Sequence, residues 1–389
     1  MAFIAGIPVI QIGVSVTIKL LHTADWQIGK GFANFEGDAG ALLRTQRIKT
    51  VDRIAQIANK QSVDVVLVAG DVFETNAVAD ETLRRTLNAL QAFKGPWVLL
   101  PGNHDPALSD SAWTRLLRMG IAENVRLATA SEPILLLNDR LAILPAPLQR
   151  RHEASDITEW FDAMVTPTGV FRVGLAHGSV ANRLPQKSEA PNVISDTRSD
   201  TAKLDYLALG DWHGTLEIAP RTWYSGTPEP DRFRNNERGN VLIVTLTQAG
   251  QSPTVEAVPV GHFSWKQFDQ TVSSEEDALV LDGVLTAEAE AERLVANLAL
   301  HGAVDLATRR HVEEILERHR ARFHVIKVDD DDLLATPSDQ DLDLIDTLGF
   351  VRSAMDKLRT KANDPSDNES QTARAALQKL YMEHLRMGD

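Results

Sequence analysis

Between Ile18 and Thr247, short apolar runs alternate with stretches whose apolar residues recur every three or four positions, and this alternation constrains the fold more than any other feature. Residues 18–23, 63–69, 97–100, 141–144, 171–176, 206–209 and 241–245 are short, rich in Val, Ile and Leu, and end in Gly, Pro or Asp. Such runs read as buried strands. Between the early ones, residues 41–59 and 80–93 carry helical stripes, Ile48, Val51, Ile54, Ala55 and Ala58 in the first and Leu83, Leu87 and Leu90 in the second. Strands alternating with helices predict an α/β sandwich with helices over the sheet faces.

Chemistry-bearing residues gather just past five of these strands. The clusters are Asp25-Trp26-Gln27, Gly70-Asp71-Val72-Phe73-Glu74, Gly102-Asn103-His104-Asp105, His177-Gly178 and Gly210-Asp211-Trp212-His213. In open α/β sheets, ligands bind outside the carboxyl ends of the strands. A single Asp after a strand is usually a cap or turn residue, but Asp, Asp, Asn, His and His brought together give mixed oxygen and nitrogen donors suited to divalent transition metals. The glycines let the backbone turn so that the following side chain points into a shared site.

Composition narrows the chemistry. The 389 residues include no cysteine, which excludes disulfides, thiolate metal sites, iron–sulfur clusters and a cysteine nucleophile, and fits a reducing cytoplasm. A net charge of −14 argues against wrapping nucleic acid by bulk charge, though not against meeting phosphate through bound metal. Residues 2–18 carry no charge, but the lack of Lys or Arg before Lys19 and the interruption at Pro8 argue against a signal peptide. Residues 1–17 are therefore expected to be an N-terminal extension, and no membrane association is expected.

The segments HTADWQIG, AGDVFE, PGNHD, AHG and YLALGDWH, followed by YSGTPEPDRF, resemble in content and order the calcineurin-like metallophosphoesterases. HTADW and YSGTP point to the DNA-nuclease branch of that family. The resemblance covers residues 18–250 and implies a four-layered α/β/β/α sandwich. It assigns one metal to Asp25, the position of Gln27, Asp71 and His213, and a second to Asp71, Asn103, His177 and the position of Asp211, with Asp71 bridging. His104 takes the place of a histidine that contacts the scissile phosphate or protonates the leaving oxygen. The implied reaction is hydrolysis of phosphodiester bonds in DNA, exo- or endonucleolytic, in repair or in defence against foreign DNA. Water would be activated between two divalent cations. The implied partners are DNA, an SMC-like coiled-coil ATPase of the SbcC type and a second copy of the chain.

Two positions depart from the family pattern. Gln27 stands where the first motif has His, and Asp211 where the fifth has its first His. Each ion thereby loses one imidazole. Three carboxylates against two dications make a harder, more oxygen-rich site, expected to favour Mn²⁺, with Mg²⁺ as the alternative, over Zn²⁺. The rival readings are a phosphoesterase acting on a nucleotide or another small molecule, and a catalytically weak scaffold component of an ATPase complex. Glu74 reads as an influence on DNA entry or as a solvated loop acid, the basic clusters at 150–152 and 232–234 equally as DNA-phosphate contacts or a solvated face, and Trp26 and Trp212 as packing residues sooner than as walls of the site or stacking partners of a base. His22 reads as part of the packing of the first strand.

Residues 18–260 are thus expected to form the catalytic domain, 262–328 a small α/β cap, and 329–389 an acidic helical tail. That tail opens with Asp329, Asp330, Asp331 and Asp332, and Thr336-Pro337-Ser338 reads as a linker. Two amphipathic faces follow, Leu344, Leu348, Val351, Met355 and Leu358, then Ala373, Leu377, Leu380 and Leu385. They either pack on their own domain or dock a partner.

Overall fold

The run Val65–Val68 is buried at every position, which a strand can be only when both faces of its sheet are covered. A computed structural model describes residues 17–35, 37–183, 192–233, 238–335, 349–364, 366, 368–370, 372–377, 379 and 380. It divides into two compact units, with the division between Ser264 and Trp265. The expectation for residues 1–16 lies outside the described residues.

The first unit contains two six-stranded sheets. In one, Ile18–Thr23, Val65–Val68, Trp97–Leu99 and Val125–Leu127 run parallel, and Asn240–Leu246 and Thr254–Pro259 extend the sheet antiparallel beyond the first strand. The other runs Leu216–Ala219, Thr222–Tyr224, Tyr206–Gly210, Phe171–His177, Leu141–Ala146 and Ile134–Leu136. All seven strands expected from the apolar runs are present. The edge strands at 125–127, 134–136, 216–219 and 254–259, and the short inner strand at 222–224, have no counterpart among the apolar runs.

The period-2 alternation of side chains sorts the strands' residues into layers. Leu21, Val66, Val68 and Leu99 face the helices, packing with Val51 and Ile54 of Ala39–Lys60, Leu83 of Asp80–Leu90 and Trp113 of Ala112–Met119. Their neighbours Leu20, Val65, Leu67 and Val98 face the second sheet and meet Ile143, Val173, Leu175, Tyr206 and Ala208. On the far side, Leu144, Ala176, Leu207 and Leu209 pack with Phe161 of Trp160–Ala163 and with Ala202 at the end of Arg198–Thr201. The result is the helix/sheet/sheet/helix sandwich, with a thin fourth layer.

His22 lies between the sheets, fully buried. Its Nδ1 accepts from the Tyr206 hydroxyl at 2.9 Å and its Nε2 donates to the Leu209 carbonyl at 3.1 Å. Burial pushes its pKa down to about 3, against the pull of the Leu209 hydrogen bond. A neutral buried histidine contributes its stability above the unfolded-state value of about 6.5 and loses it as pH falls toward 3. At pH 5 the loss should be about 2 kcal/mol. Urea unfolding at pH 7 and pH 5 should therefore show a stability drop smaller by that amount in His22→Gln than in the wild type.

The second unit is built on the sheet Ser264–Thr271, Leu294–Val304 and Val325–Ala335, the last two parallel, with helices Glu275–Thr286 and Leu306–Arg320. Leu281, Leu285, Leu298, Leu300, Val312 and Ile315 form its core. Helix Leu306–Arg320 carries self-paired charges, Arg309 with Glu313 at 3.3 Å and Arg320 with Glu317. One expectation needs correcting. Asp329–Asp332, read from the sequence as the opening of the acidic helical tail, lie inside the strand Val325–Ala335, so a boundary at 328/329 would cut a strand. The ladder with Leu294–Val304 includes Asp329 and resumes at Asp332 after an irregularity, Asp330 is paired with Arg309, and Asp332 lies 3.5 Å from His301 Nδ1.

Of the two amphipathic faces, Met355 and Leu358 of Phe350–Ala362 pack with Leu377, Leu380 and Leu306 of the same unit. Thr336-Pro337-Ser338, Leu344, Leu348 and Leu385 lie outside the described residues. Among the described residues, no helix is long and apolar enough to cross a membrane.

Candidate metal centre

Three of the expected clusters leave their strands through turns that ordinary residues avoid. Asp25, Gln27, Asp71 and Asp211 all have positive φ, at 53°, 44°, 51° and 105°. Strain of this kind persists where the surroundings over-determine it, as at functional sites. Here the first two loops are stapled together. Asp25 N–H donates to the Gly70 carbonyl at 3.0 Å, Gln27 N–H to that of Asp71 at 2.9 Å, and Ile28 N–H to that of Val72 at 2.9 Å. From the second sheet, Asp211 N–H reaches both Asp25 carboxylate oxygens at 3.2 Å.

Asp25, Asp71 and His177 are brought together, all buried, with potential ligand atoms within 4.8 Å of one another. The His177 Nδ1–H donates to the Ala69 carbonyl at 2.9 Å. Its Nε2 is left 3.4 Å from Asp71 Oδ1 and 3.8 Å from Asp211 Oδ1, buried and without a hydrogen-bond partner. A histidine fixed by a backbone carbonyl through one nitrogen and presenting the other is the usual arrangement of a metal ligand. Asn103 Oδ1 is likewise buried and unpartnered. Asp211 is oriented by the Ser179 hydroxyl, which donates to Oδ2 at 2.8 Å.

Crowding of acids sets the electrostatics. Burial, then the Asp71 and Asp211 charges, push the Asp25 carboxyl up to about 8, against the pull of His177. Burial alone would lower His177, but the Asp71, Asp25 and Asp211 carboxylates raise it to about 9. Clustered buried carboxylates are costly unless a cation pairs with them. The orphaned His177 Nε2 and Asn103 Oδ1 beside two buried carboxylates therefore fit a divalent ion.

The other expected residues take distinct places. His104 lies at the rim, its N–H on Asp71 Oδ1 at 2.9 Å, its Nδ1 on the Glu74 carbonyl at 3.0 Å and its Nε2 4.0 Å from Asp71 Oδ2. His213 is not part of the Asp25–Asp71–His177 trio. It stands beside Gln27, with Gln27 Nε2 and His213 Nε2 3.3 Å apart. Trp26 is a core residue, its Nε1–H on the Thr23 hydroxyl and its ring edge-on to Trp97.

Several residues that shape the site stand within the quoted motifs but carry no assigned role in the sequence. Asp105 is buried and accepts from the Gly102 N–H at 2.7 Å and the Phe73 N–H at 2.9 Å, tying the second loop to the third. The Thr227 hydroxyl donates to the Asp25 carbonyl at 2.9 Å, and the Tyr224 hydroxyl to that of Gly178 at 2.7 Å. Asp231 is buried within YSGTPEPDRF, a segment that reads as a motif but carries no assigned chemistry in the sequence. Asp105→Ala would leave two buried N–H groups unsatisfied. It should cost about 3 kcal/mol, measurable as a lowered urea midpoint at an unchanged m-value.

Buried carboxylates, an amide and an imidazole at the carboxyl ends of strands from two facing sheets define a metal-dependent hydrolase. The chain belongs to the calcineurin-like phosphoesterase family, whose model matches residues 18–245, and is with that a metallophosphoesterase. It is 27% identical over 278 residues to the SbcD component of the SbcCD nuclease of Bacillus subtilis (strain 168), covering 62% of this chain and 69% of that one. To the DNA double-strand break repair protein Mre11 of Methanosarcina acetivorans it is 25% identical over 255 residues, covering 63% of this chain and 39% of the relative. The chain thus spans well under half of the archaeal relative's length. A shorter match, 34% over 106 residues and 26% of this chain, joins it to the SbcD component of the same nuclease in Rhodobacter capsulatus, of which it covers 25%.

Proposed function

We propose that the chain is a Mn²⁺-dependent DNA nuclease of repair or of defence against foreign DNA, working in the cytoplasm with an SMC-like coiled-coil ATPase. The observation that carries this reading is the unpartnered His177 Nε2 and Asn103 Oδ1 beside the buried carboxylates of Asp25 and Asp71. The names of its relatives, nuclease and double-strand-break repair proteins, support the choice of substrate and partner class. The absence of cysteine supports the compartment.

Divalent cations held here would polarise the phosphodiester and the attacking water. Asp71, Asn103, His177 and Asp25 would hold one ion, with Asp211 beside them. The second ion implied by the resemblance would depend on Gln27 and His213 besides the shared carboxylates. The predominance of oxygen donors favours Mn²⁺ or Mg²⁺ over Zn²⁺. His104, with Nδ1–H committed to the Glu74 carbonyl, presents Nε2 to the site, from which its imidazolium form would give a proton to the leaving oxygen. Residues from 265 onward would serve as cap and partner-docking region, and a homodimer is part of the proposal.

The test is incubation of the purified chain with end-labelled single-stranded and duplex DNA and Mn²⁺, with bis(p-nitrophenyl) phosphate in parallel. Cleavage of DNA that disappears with chelator is the expected result. Turnover of the small ester with no action on any DNA, with or without the ATPase, would contradict it.

A further inference from the structure

The donors that would receive the second ion face cations belonging to the chain itself. Asp231, whose side chain is fully buried, gathers three of them. Lys30 Nζ and Arg47 Nη2 each lie 2.8 Å from Oδ2, and Arg232 Nε lies 3.2 Å from Oδ1. Arg47, itself buried, also donates to the Trp26 carbonyl at 2.5 Å and so belongs to the scaffold. Lys30 and Arg232 are more open, with 27% and 52% of their side chains exposed, and both turn toward the expected ligands. Lys30 Nζ is 3.4 Å from Gln27 Oε1. Arg232 Nη2 lies 2.6 Å from His213 Nδ1 and 3.2 Å from His213 Nε2.

Among the described residues, the single carboxylate of Asp231 meets three cations here, so this side is far less acidic than the side around His177. The two donors that distinguish it, the Gln27 amide and the His213 imidazole, are neutral and offset none of the cations' charge. A dication placed between them would sit within a few ångströms of an ammonium and a guanidinium, in a partly dehydrated pocket where such repulsion is strong. The opposite side has the reverse balance, with Asp25, Asp71 and Asp211 around His177.

Resting on the metallophosphoesterase reading above, we infer that the protein binds a single divalent ion, at Asp25–Asp71–Asn103–His177, and that Lys30 and Arg232 replace the second ion. Their charges meet the non-bridging oxygens of the substrate phosphate from the side opposite the metal, Arg232 through a planar fork and Lys30 as a point charge. Substitution of His by Gln at position 27 is then part of a coherent exchange. An imidazole that would attract a metal gives way to an amide whose oxygen accepts from Lys30.

The test counts ions and reads their coupling. Mn²⁺ titration of the full chain, followed by calorimetry and electron paramagnetic resonance, should give one ion per chain and the spectrum of an isolated Mn²⁺. The triple variant Gln27→His, Lys30→Met, Arg232→Met retains the Arg47–Asp231 pair and should take up a second ion with an exchange-coupled spectrum. Two coupled ions in the wild type would overturn the inference, as would a triple variant that folds, by circular dichroism, yet still binds one. No saturable Mn²⁺ in the wild type would instead overturn the metal-centre reading on which it rests.

Discussion

Asp71→Asn is expected to abolish Mn²⁺-dependent hydrolysis, by at least about 10³-fold in kcat, while leaving the chain folded. The carboxylate stands 3.4 Å from His177 Nε2 and is one of only three buried ligands that meet within 4.8 Å among the described residues. Asn preserves its shape. It tolerates the left-handed backbone that position 71 adopts, with φ at 51°, better than other non-glycine residues. Its Oδ1 can still accept from the His104 N–H, a bond of 2.9 Å in the wild type. What it removes is the charge. The thermal midpoint should move by a few degrees at most, and Mn²⁺ affinity should fall with activity. Activity within about tenfold of wild type would show that the chemistry is elsewhere.

Gly210→Ala is expected to damage fold and site together. A Cβ at this position would lie 2.0 Å from the Ala69 carbonyl oxygen and 2.8 Å from His177 Nδ1. These two atoms form the hydrogen bond that orients His177. Neither can move freely, because Ala69 directly follows the strand that delivers Asp71, and His177 ends the strand paired with that of Gly210. Overpacking of this severity should cost about 3 kcal/mol, or a midpoint lowered by about 10 °C for a unit of this size. Misdirection of Nε2 should weaken Mn²⁺ binding in whatever fraction remains folded. A glycine chosen for loop flexibility alone would accept alanine with neither effect. Melting curves and Mn²⁺ titrations of the one variant separate these cases.

Apolar periodicity made the sandwich legible, because Val65–Val68 and its neighbours are buried on both faces and so escape competition from exposed positions. Residues 329–332 read as the start of a solvated tail because four consecutive acids are rarely accommodated in a strand. In the fold, Arg309 and His301 compensate two of them, and both lie far away in sequence. Asp25, Asp71 and His177, each at the carboxyl end of a strand, come together because the two sheets face one another with those ends on the same side. Asp231 was quoted within a motif yet unassigned, because its partners Lys30 and Arg47 belong to segments almost 200 residues away with no signature of their own. The cations beside Gln27 and His213, Lys30 and Arg232, are close to them in sequence but belong to no motif with assigned chemistry, so the sequence suggested two weakened metal positions where the structure has one acidic side and one basic side.

The most direct measurement is an anomalous difference map from a crystal of the chain grown with Mn²⁺ and collected at the manganese edge. The account predicts the strongest peak at coordination distance, about 2.2 Å, from Asp71, Asn103 Oδ1 and His177 Nε2. Absence of density in this pocket, or a principal peak away from all three residues, would contradict it.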